Sequence, residues 1–249
     1  MSEPLLLRRL LPEPGPVTPA QAAAHLTGRK VLLLNMVTSL DGHTTVAGRS
    51  RGIRGGRGDR ELFHALRAHA DAILVGTQTM RAEGYGAWLR DERRRAMRRA
   101  AGLAGGPVGA TVTRRGDVPW EIPLFVQRDA QLIVYSGFPL ACPPEVVAHV
   151  VIVDLDEAGD DLVAAAVADL RARGLRAILR EGGATLNAAL LRAGLVDELQ
   201  LVLAPQIVGG TSALTAVHGP LDGDVALEPV DAYTAEGALL LRYRVARGL

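Results

Sequence analysis

Cysteine is almost absent from this chain of 249 residues, which holds Cys142 alone. A single cysteine excludes an internal disulfide and a zinc site built on several thiolates, and such scarcity is typical of a protein from a reducing cytosol. Lysine is equally rare, with Lys30 the only one, so arginine carries nearly all of the positive charge. The formal net charge of +1 gives no general reason to expect a nucleic-acid or membrane partner.

Long apolar runs are missing too. All of them fall far short of the ~18 consecutive apolar residues that indicate a membrane-spanning helix. Residues 5–7 form a short apolar run that the arginines follow instead of precede, which is not the pattern of a secretory signal. We therefore expect a soluble, cytoplasmic protein with no membrane partner.

Several catalytic and nucleotide-binding motifs are also absent. The sequence has no G-x-G-x-x-G of a Rossmann domain, no G-x-x-x-x-G-K-[ST] of a P-loop and no G-x-S-x-G nucleophile elbow. The six histidines show no spacing typical of metal ligands, and we expect His64 and His69 to lie on the surface or pack on a helix. The sequence therefore predicts no metal site.

The chain does show apolar strand patterns that alternate with helix patterns. This alternation predicts an α/β fold, a mainly parallel sheet with helices on both faces. Residues 225–245 alternate like antiparallel strands, which would close the C-terminal edge and are candidates for pairing across a two-fold axis. The predicted strands are residues 31–37, 72–75, 108–113, 131–135, 150–153, 177–179 and 198–203; the predicted helices are one capped by Asp59, residues 91–101, residues 160–173 and one after Gly183.

The first 28 residues differ from the rest in being rich in proline and alanine. Thr18-Pro19 has the pattern of a helix N-cap followed by proline in the first turn, and it predicts a short helix to about His25. We expect residues 1–28 to form an extension packed on the surface, and residues 29–249 to form a single domain.

The most informative stretch is residues 177–191. A short buried strand leads to Glu181, then to Gly182-Gly183, and then to a helix. Paired glycines let a backbone approach a phosphate, and the N–H groups and dipole of a helix start favour negative charge. A carboxylate is a poor phosphate ligand, so we expect Glu181 to serve another part of the ligand. The alternative is an ordinary turn with a solvated glutamate.

Arginines mark two other places. Arg114-Arg115 follow the predicted strand 108–113, at the end of an open α/β sheet where ligands bind. A guanidinium pair there can grip a phosphate monoester, and so select NADPH over NADH. The arginines of loop 48–58 and of helix 91–101 are candidates for binding a polyanion such as RNA, although a solvated basic face is the simpler interpretation of the helix.

Four segments, taken in order, resemble a known family. They read NMVTSLDG at residues 35–42; LRA and DAILVGTQTMRAE within residues 66–83; EGGATL at residues 181–186; and GLVDE through AP to GG within residues 194–210. Together they resemble the reductase domain of riboflavin biosynthesis, which has the dihydrofolate-reductase fold. The H-x-E and P-C-x-x-C motifs of the zinc deaminase found in bifunctional members are absent, so the chain is similar to the stand-alone pyrimidine reductase form.

The resemblance implies an activity. It implies the NADPH-dependent reduction of 5-amino-6-(5-phosphoribosylamino)uracil, or of its 2,5-diamino-pyrimidinone counterpart, to the ribitylamino product, by an enzyme that is a homodimer. Hydride would pass to the sugar C1′ as the ribose ring opens. Glu181 is the candidate for proton handling, with Asn35 and Glu83 as further catalytic candidates. The implied contacts with the substrate and its phosphate are Ser50, Arg67, Arg90 and Glu181.

The resemblance also implies where NADPH binds. The nicotinamide would lie near Val37, Gly52, Thr79 and Glu83, and Arg114 matches another position that contacts the cofactor. The implied pyrophosphate site consists of Gly182, Gly183, Ala184, Thr185, Leu186 and Asn187.

Two positions depart from the usual family pattern. Asn35 stands where bacterial bifunctional members usually have lysine, which argues against lysine-assisted ring opening. Glu83-Gly84-Tyr85 replaces the usual Asp-Asn/Asp-Pro, which keeps a carboxylate and adds a ring that can stack on a heterocycle. The alternatives are a dihydrofolate or pterin reductase of the same fold and, from another class, a polyanion-binding or RNA-binding protein.

Overall fold

A single sheet organises the chain in the computed structural model, which describes residues 5–155, 159, 161–210 and 215–246. The 11 strands of this sheet follow the order β2-β1-β10-β11-β9-β3-β8-β4-β5-β6-β7. They are β1 Leu7–Leu11, β2 Gly15–Val17, β3 Val31–Ser39, β4 Ala72–Gly76, β5 Val108–Thr113, β6 Gln131–Ser136, β7 His149–Asp154, β8 Ala177–Glu181, β9 Glu198–Ala204, β10 Leu227–Ala235 and β11 Ala238–Val245.

Six α-helices connect or flank these strands within the described residues. None of the described helices is both long and apolar enough to cross a membrane. The helices are α1 Pro19–Ala23, α2 Gly56–His69, α3 Thr77–Glu83, α4 Glu92–Ala100, α5 Leu162–Ala172 and α6 Ala184–Arg192, and short 3-10 turns lie at Ala24–Leu26, Ser50–Gly52 and Pro123–Val126.

Strand direction divides the sheet into two parts. From β9 through β3, β8, β4, β5 and β6 to β7 all neighbours are parallel, whereas β11, β10, β1 and β2 add an antiparallel part beyond β9. The predicted α/β sheet with antiparallel C-terminal strands is confirmed. Strands β10 and β11 each already have neighbours on both sides, so they offer no free edge for the two-fold pairing that the sequence suggested.

Helices cover both faces of the sheet, as predicted. Alternate residues of β3 point to opposite faces, so Leu33 packs with Leu66 of α2, whereas Leu34 packs with Val167 of α5 and Leu190 of α6. Strands buried on both faces read as continuous apolar runs, which is why the central strands were visible in the sequence.

The N-terminal segment belongs to the sheet instead of lying on its surface. Strand β1 pairs with β10, and Leu7 and Leu26 are fully buried in the core that α2 covers. The predicted short helix is present as α1, with Thr18 as its N-cap. Residues 1–4 and 247–249 lie outside the described residues, and the division into residues 1–28 and 29–249 stays a prediction.

Two predicted helix starts differ from the structure. Asp59 was predicted as an N-cap, but α2 begins at Gly56 with Gly55 as its N-cap, so Asp59 lies inside the first turn. Gly55, Gly56 and Gly58 precede Asp59. Glycine is flexible and has no side chain, so apolar periodicity could not indicate a helical turn there. Asp160, predicted as the start of α5, lies outside the described residues, and the helix begins at Leu162.

Candidate active site

A cleft of about 1560 Å³ opens at the carboxyl ends of β3, β8, β4 and β5. Parallel strands bring their carboxyl ends to one edge of a sheet, and residues far apart in sequence therefore meet there. Most of the predicted site residues line this cleft: Asn35, Val37, Ser50, Arg67, Thr79, Glu83, Arg90, Arg114, Glu181, Gly182, Gly183, Ala184, Thr185 and Leu186.

The glycine turn after β8 requires both of its glycines. Gly182 and Gly183 have φ values of +58° and +74°, in the left-handed region that favours glycine. A Cβ at Gly182 would lie 2.8 Å from Cγ2 of Thr79, and one at Gly183 would lie 2.7 Å from Nη2 of Arg180. The turn thus leaves its backbone bare beside the cleft.

Helix α6 starts directly after this turn. Its N-cap, Gly183, provides no side-chain hydrogen bond to the first turn. The first N–H groups of an α-helix lack partners within the helix, and they carry the positive end of its dipole. Since Ala184, Thr185 and Leu186 line the cleft, the arrangement suits an anionic group such as a phosphate.

Glu181 forms a buried ion pair across the cleft wall. Nε and Nη2 of Arg67 donate to Oε1 and Oε2 of Glu181, each at 2.7 Å. Glu181 is 2% exposed and Arg67 is 7% exposed. Burial alone would lower the pKa of Arg67, but the charge and hydrogen bonds of Glu181 raise the pKa above its ordinary value. Arg67 therefore keeps its charge beside Glu181, and both residues were predicted to contact substrate.

Aromatic rings enclose the guanidinium of Arg67. Its central carbon lies 4.2 Å from the ring centre of Phe63 and 5.5 Å from those of Tyr85 and Trp88, distances at which a cation attracts an aromatic face. The Tyr85 hydroxyl donates to Oε2 of Glu181 at 3.1 Å. Burial first, and the Glu181 charge second, raise the pKa of Tyr85 well above its ordinary value, which keeps the hydroxyl protonated.

Glu83 and Asn35 line the same cleft as this pair. Oε1 of Glu83 accepts hydrogen bonds from the backbone N–H of Ser50 at 2.9 Å and from its hydroxyl at 2.7 Å. These bonds tie the end of α3 to the loop after β3. Asn35 lies beside Glu181 in the register of β3 and β8. Asn35, Glu181 and Arg67, all predicted site residues, therefore form one wall of the cleft.

Three exposed arginines line the cleft. Arg114 and Arg115 come directly after β5 and are exposed, as predicted from their position. Nη1 of Arg114 donates to the carbonyl oxygen of Gly159 at 3.0 Å. Arg90 is exposed in the loop between α3 and α4, near Gly86. All three leave charge accessible to a ligand in the cleft.

Two predicted cofactor residues do not line the cleft. Asn187 is 0% exposed, and its Nδ2 donates to the carbonyl oxygen of Ala216 at 2.7 Å, so its side chain fastens α6 to a neighbouring loop. Gly52 packs under the loop instead, since a Cβ there would lie 2.3 Å from Cβ of Val46. Their predicted contacts with NADPH stay predictions.

The arginine-rich helix α4 is engaged with the protein itself. Arg98 is 2% exposed, and its guanidinium donates to the carbonyl oxygens of Ala104 at 2.8 Å and Ala68 at 3.0 Å. Arg94 pairs with Glu61 at 2.6 Å, and Arg95 and Arg99 also bind carboxylates. Arg94, Arg95 and Arg98 thus hold neighbouring segments, whereas Arg93 and Arg99 are exposed, as the interpretation of a solvated face expects.

Sequence reasoning missed Arg180, which lies fully buried below the glycine turn. The signal was present in the alternation of β8. Glu181 faces Arg67 on one side of the sheet, so its neighbour Arg180 has to face the other side, under α6. A fully buried arginine is rare in proteins unless it has a binding partner, so Arg180 in this strand was a signal of a specific role.

The chain matches one protein family and is similar to curated proteins of known name. The model of the family described as the RibD C-terminal domain matches residues 30–240. Two curated proteins named 2,5-diamino-6-ribosylamino-4(3H)-pyrimidinone 5′-phosphate reductase are similar to the chain. The one from Methanothermobacter thermautotrophicus is 31% identical over 229 residues, which cover 87% of this chain and 99% of that protein. The one from Archaeoglobus fulgidus is 27% identical over 194 residues, covering 77% and 87%.

Solved structures share the fold. A pyrimidine reductase-like protein from Corynebacterium diphtheriae superposes with a TM-score of 0.79 at 23% identity, covering 93% of this chain and 100% of that one. A riboflavin biosynthesis reductase from Saccharomyces cerevisiae gives a TM-score of 0.62 at 19% identity, covering 88% and 90%. The predicted resemblance is thereby confirmed, and the chain shares the fold of these reductase structures.

Proposed function

Because the chain belongs to the RibD C-terminal domain family, we propose that it is an NADPH-dependent reductase of riboflavin biosynthesis. The reductase class predicted from the sequence agrees with the name that the curated relatives carry. For the substrate we propose the pyrimidine of that name, with the deaminated phosphoribosylaminouracil as the second candidate.

One observation carries the proposal. A bare glycine turn and an uncapped helix start, suited to a pyrophosphate, share a single cleft with the ion pair of Glu181 and Arg67. An anion site alone would fit many ligands. An anion site beside a polar, ring-lined wall fits a reaction between a nucleotide and a second, flat and polar molecule.

The residues of this chain fit NADPH. Gly182 and Gly183 line the cleft without a side chain, so a pyrophosphate can approach their backbone, and Arg114 and Arg115 offer guanidinium groups for the additional 2′-phosphate. When bound, NADPH supplies the hydride for the sugar C1′. Val37, Thr79 and Glu83 line the same cleft as the glycine turn and Asn35, and we place the nicotinamide beside them.

Glu181 retains capacity to act on the substrate sugar. A carboxylate offers about four lone-pair sites, and among the described residues Arg67 uses one on each oxygen while Tyr85 uses a second on Oε2. Oε1 therefore has a site left for a hydroxyl or ring nitrogen of the substrate. We propose that Glu181 handles the proton as the ribose ring opens, with Asn35 beside it as a neutral partner.

Two further properties are proposed from the family resemblance. A homodimer is expected, and since β10 and β11 are paired on both sides, its contact has to use other parts of the surface. A cytoplasmic location is expected from the scarcity of cysteine. Light scattering after size-exclusion chromatography measures the first.

The test is NADPH oxidation by the purified protein. The diamino pyrimidine and its deaminated counterpart are offered separately, with dihydrofolate as a third substrate and NADH as the alternative donor. We expect rapid loss of the reduced-nicotinamide absorbance with one of the pyrimidines and little with dihydrofolate. No turnover with either pyrimidine would reject the proposal, and a faster rate with dihydrofolate would replace it by a pterin reductase.

A further inference from the structure

Arg180 lies directly beneath the glycine turn, with 0% of its surface exposed. Its Nη1 donates to the carbonyl oxygens of Leu74 at 3.2 Å and of Glu181, and its Nη2 donates to the carbonyl oxygen of Gly183 at 2.8 Å. Within the described part of the chain no carboxylate forms an ion pair with Arg180, because the carboxylate of Glu181 is bound to Arg67. This buried guanidinium therefore has backbone carbonyls as its partners.

These bonds determine where two N–H groups of the turn point. In a planar trans peptide unit the C=O and N–H groups point in opposite directions. Because Arg180 draws the carbonyls of Glu181 and Gly183 toward itself, the N–H groups of Gly182 and Ala184 point away from it. Gly182 and Ala184 line the cleft and Arg180 does not. The guanidinium thus holds the turn with these donors on the side of the cleft.

The charge of Arg180 also acts on the cleft through the backbone. Carbonyl oxygens accept hydrogen bonds from Nη1 and Nη2 of Arg180 but do not neutralise its charge, and its buried Nε has no hydrogen-bond partner among the described residues. A buried charge without a paired counter-ion is costly. Burial lowers the pKa of Arg180 to about 9, which reflects that cost. An anion seated on the glycine turn would offset it, because attraction between charges is stronger inside a protein than in water.

We propose that Arg180 is a positioning residue for the anion site at the start of α6. Arg180 orients the N–H donors of the turn toward a pyrophosphate group in the cleft. It also places a positive charge on the other side of the turn, which attracts that group. This inference rests on the proposed function, in which the pyrophosphate belongs to NADPH.

The experiment compares three probes by titration calorimetry: NADPH, inorganic pyrophosphate, and reduced nicotinamide riboside, which has no phosphate. Arg180→Met removes the charge and the donors while keeping most of the volume. We expect it to weaken binding of NADPH and of pyrophosphate by about tenfold or more, since a charge is lost near the anion. Binding of reduced nicotinamide riboside should stay within about twofold, because that probe does not occupy the anion site.

Arg98→Met is the matched control. Arg98 is likewise buried and bonded to carbonyl oxygens, but it lies outside the cleft. This variant should lose stability to a similar degree and bind all three probes as the wild type does. The comparison separates a loss of charge under the turn from a general effect of removing a buried arginine.

Wild-type pyrophosphate affinity in Arg180→Met would overturn the inference and leave the proposed function standing. A wild-type protein that binds neither NADPH nor pyrophosphate would reject the proposed function itself. If Arg180→Met does not fold, side-chain NMR of the wild-type protein tests the inference instead. Pyrophosphate should shift the Nε resonance of Arg180 and leave that of Arg98 in place, and an unmoved Arg180 signal would contradict the proposal.

Discussion

Both carboxylate oxygens of Glu181 are held by one guanidinium, that of Arg67, at 2.7 Å each. The two residues are 114 positions apart in the sequence, and the pair joins α2 to the end of β8. Breaking a buried ion pair by removing one partner leaves an uncompensated charge, which costs about 3–5 kcal/mol. The same pair forms the wall that we assign to the substrate, so stability and activity are linked there.

Glu181→Gln should slow the reaction and leave NADPH binding nearly intact. The amide keeps the shape but cannot take up a proton, so we expect kcat to fall by about 10²–10⁴-fold, while the Kd for NADPH changes by less than about threefold. Urea unfolding should show a loss of stability, because Arg67 keeps its charge without a counter-ion.

Glu198→Gln provides the control for that variant. Glu198 is 2% exposed and pairs with Arg242 at 2.9 Å, outside the cleft. It should lose stability and retain kcat. If Glu181→Gln turns over at the wild-type rate, Glu181 only positions the ligand and the proton-handling role is wrong.

Arg114→Ala should weaken NADPH more than NADH. Only NADPH carries the additional phosphate, and a charge-assisted hydrogen bond to an exposed phosphate contributes about 1–3 kcal/mol, or roughly a 5- to 150-fold change in affinity. Fluorescence titration of both nucleotides measures the ratio. Arg93→Ala, on the exposed side of α4 and outside the cleft, is the control. Equal losses for the two nucleotides would contradict the assignment.

Gly183→Ala and Gly102→Ala form a matched pair. Their φ values are +74° and +75°, and an alanine in this left-handed region costs about 1–2 kcal/mol at either position. A Cβ at Gly102 meets nothing within 4 Å, whereas one at Gly183 meets Nη2 of Arg180 at 2.7 Å. We expect Gly183→Ala to lose more stability than Gly102→Ala in thermal unfolding, and it alone should weaken NADPH. Equal stability losses would contradict the prediction, because they would mean that Arg180 or the turn shifts to accommodate the new Cβ without cost.

Asp59 makes stability depend on pH. Burial raises the pKa of this carboxyl from 3.8 to about 6, opposed by Arg60. Between these values the folded state binds more protons than the unfolded state, so stability decreases as the pH rises from about 4 to about 6. Asp59→Asn removes this contribution, which amounts to about 3 kcal/mol. Urea unfolding at several pH values should show a smaller decrease for the variant, and identical pH profiles would refute the prediction.

The sequence predicted the elements and most of the cleft for a simple physical reason. Burial on both faces makes central strands continuously apolar, and β5 is found at the predicted residues 108–113. Once the strands are known to be parallel, their carboxyl ends must meet, which brings Asn35 and Glu181 side by side. Local pattern and topology were sufficient for those conclusions.

The partners of charged residues were beyond the reach of the sequence. The sequence does not distinguish the partners of Arg67, Arg98 and Arg180. In the structure Arg67 binds a carboxylate, whereas Arg98 and Arg180 bind carbonyl oxygens. Which of these applies depends on contacts between distant segments. For the same reason residues 1–28 were expected to form an extension packed on the surface, although Leu7 and Leu26 are buried in the core.

The central claim is that this cleft transfers a hydride to the sugar of a pyrimidine. NADPH carrying deuterium at both C4 positions of the nicotinamide should be incubated with the diamino pyrimidine and, separately, with the deaminated one, and the products analysed by mass spectrometry. We predict a ribitylamino product from one of them that contains one deuterium, located at C1′. A product without deuterium, or no reduced pyrimidine from either substrate, would contradict the account.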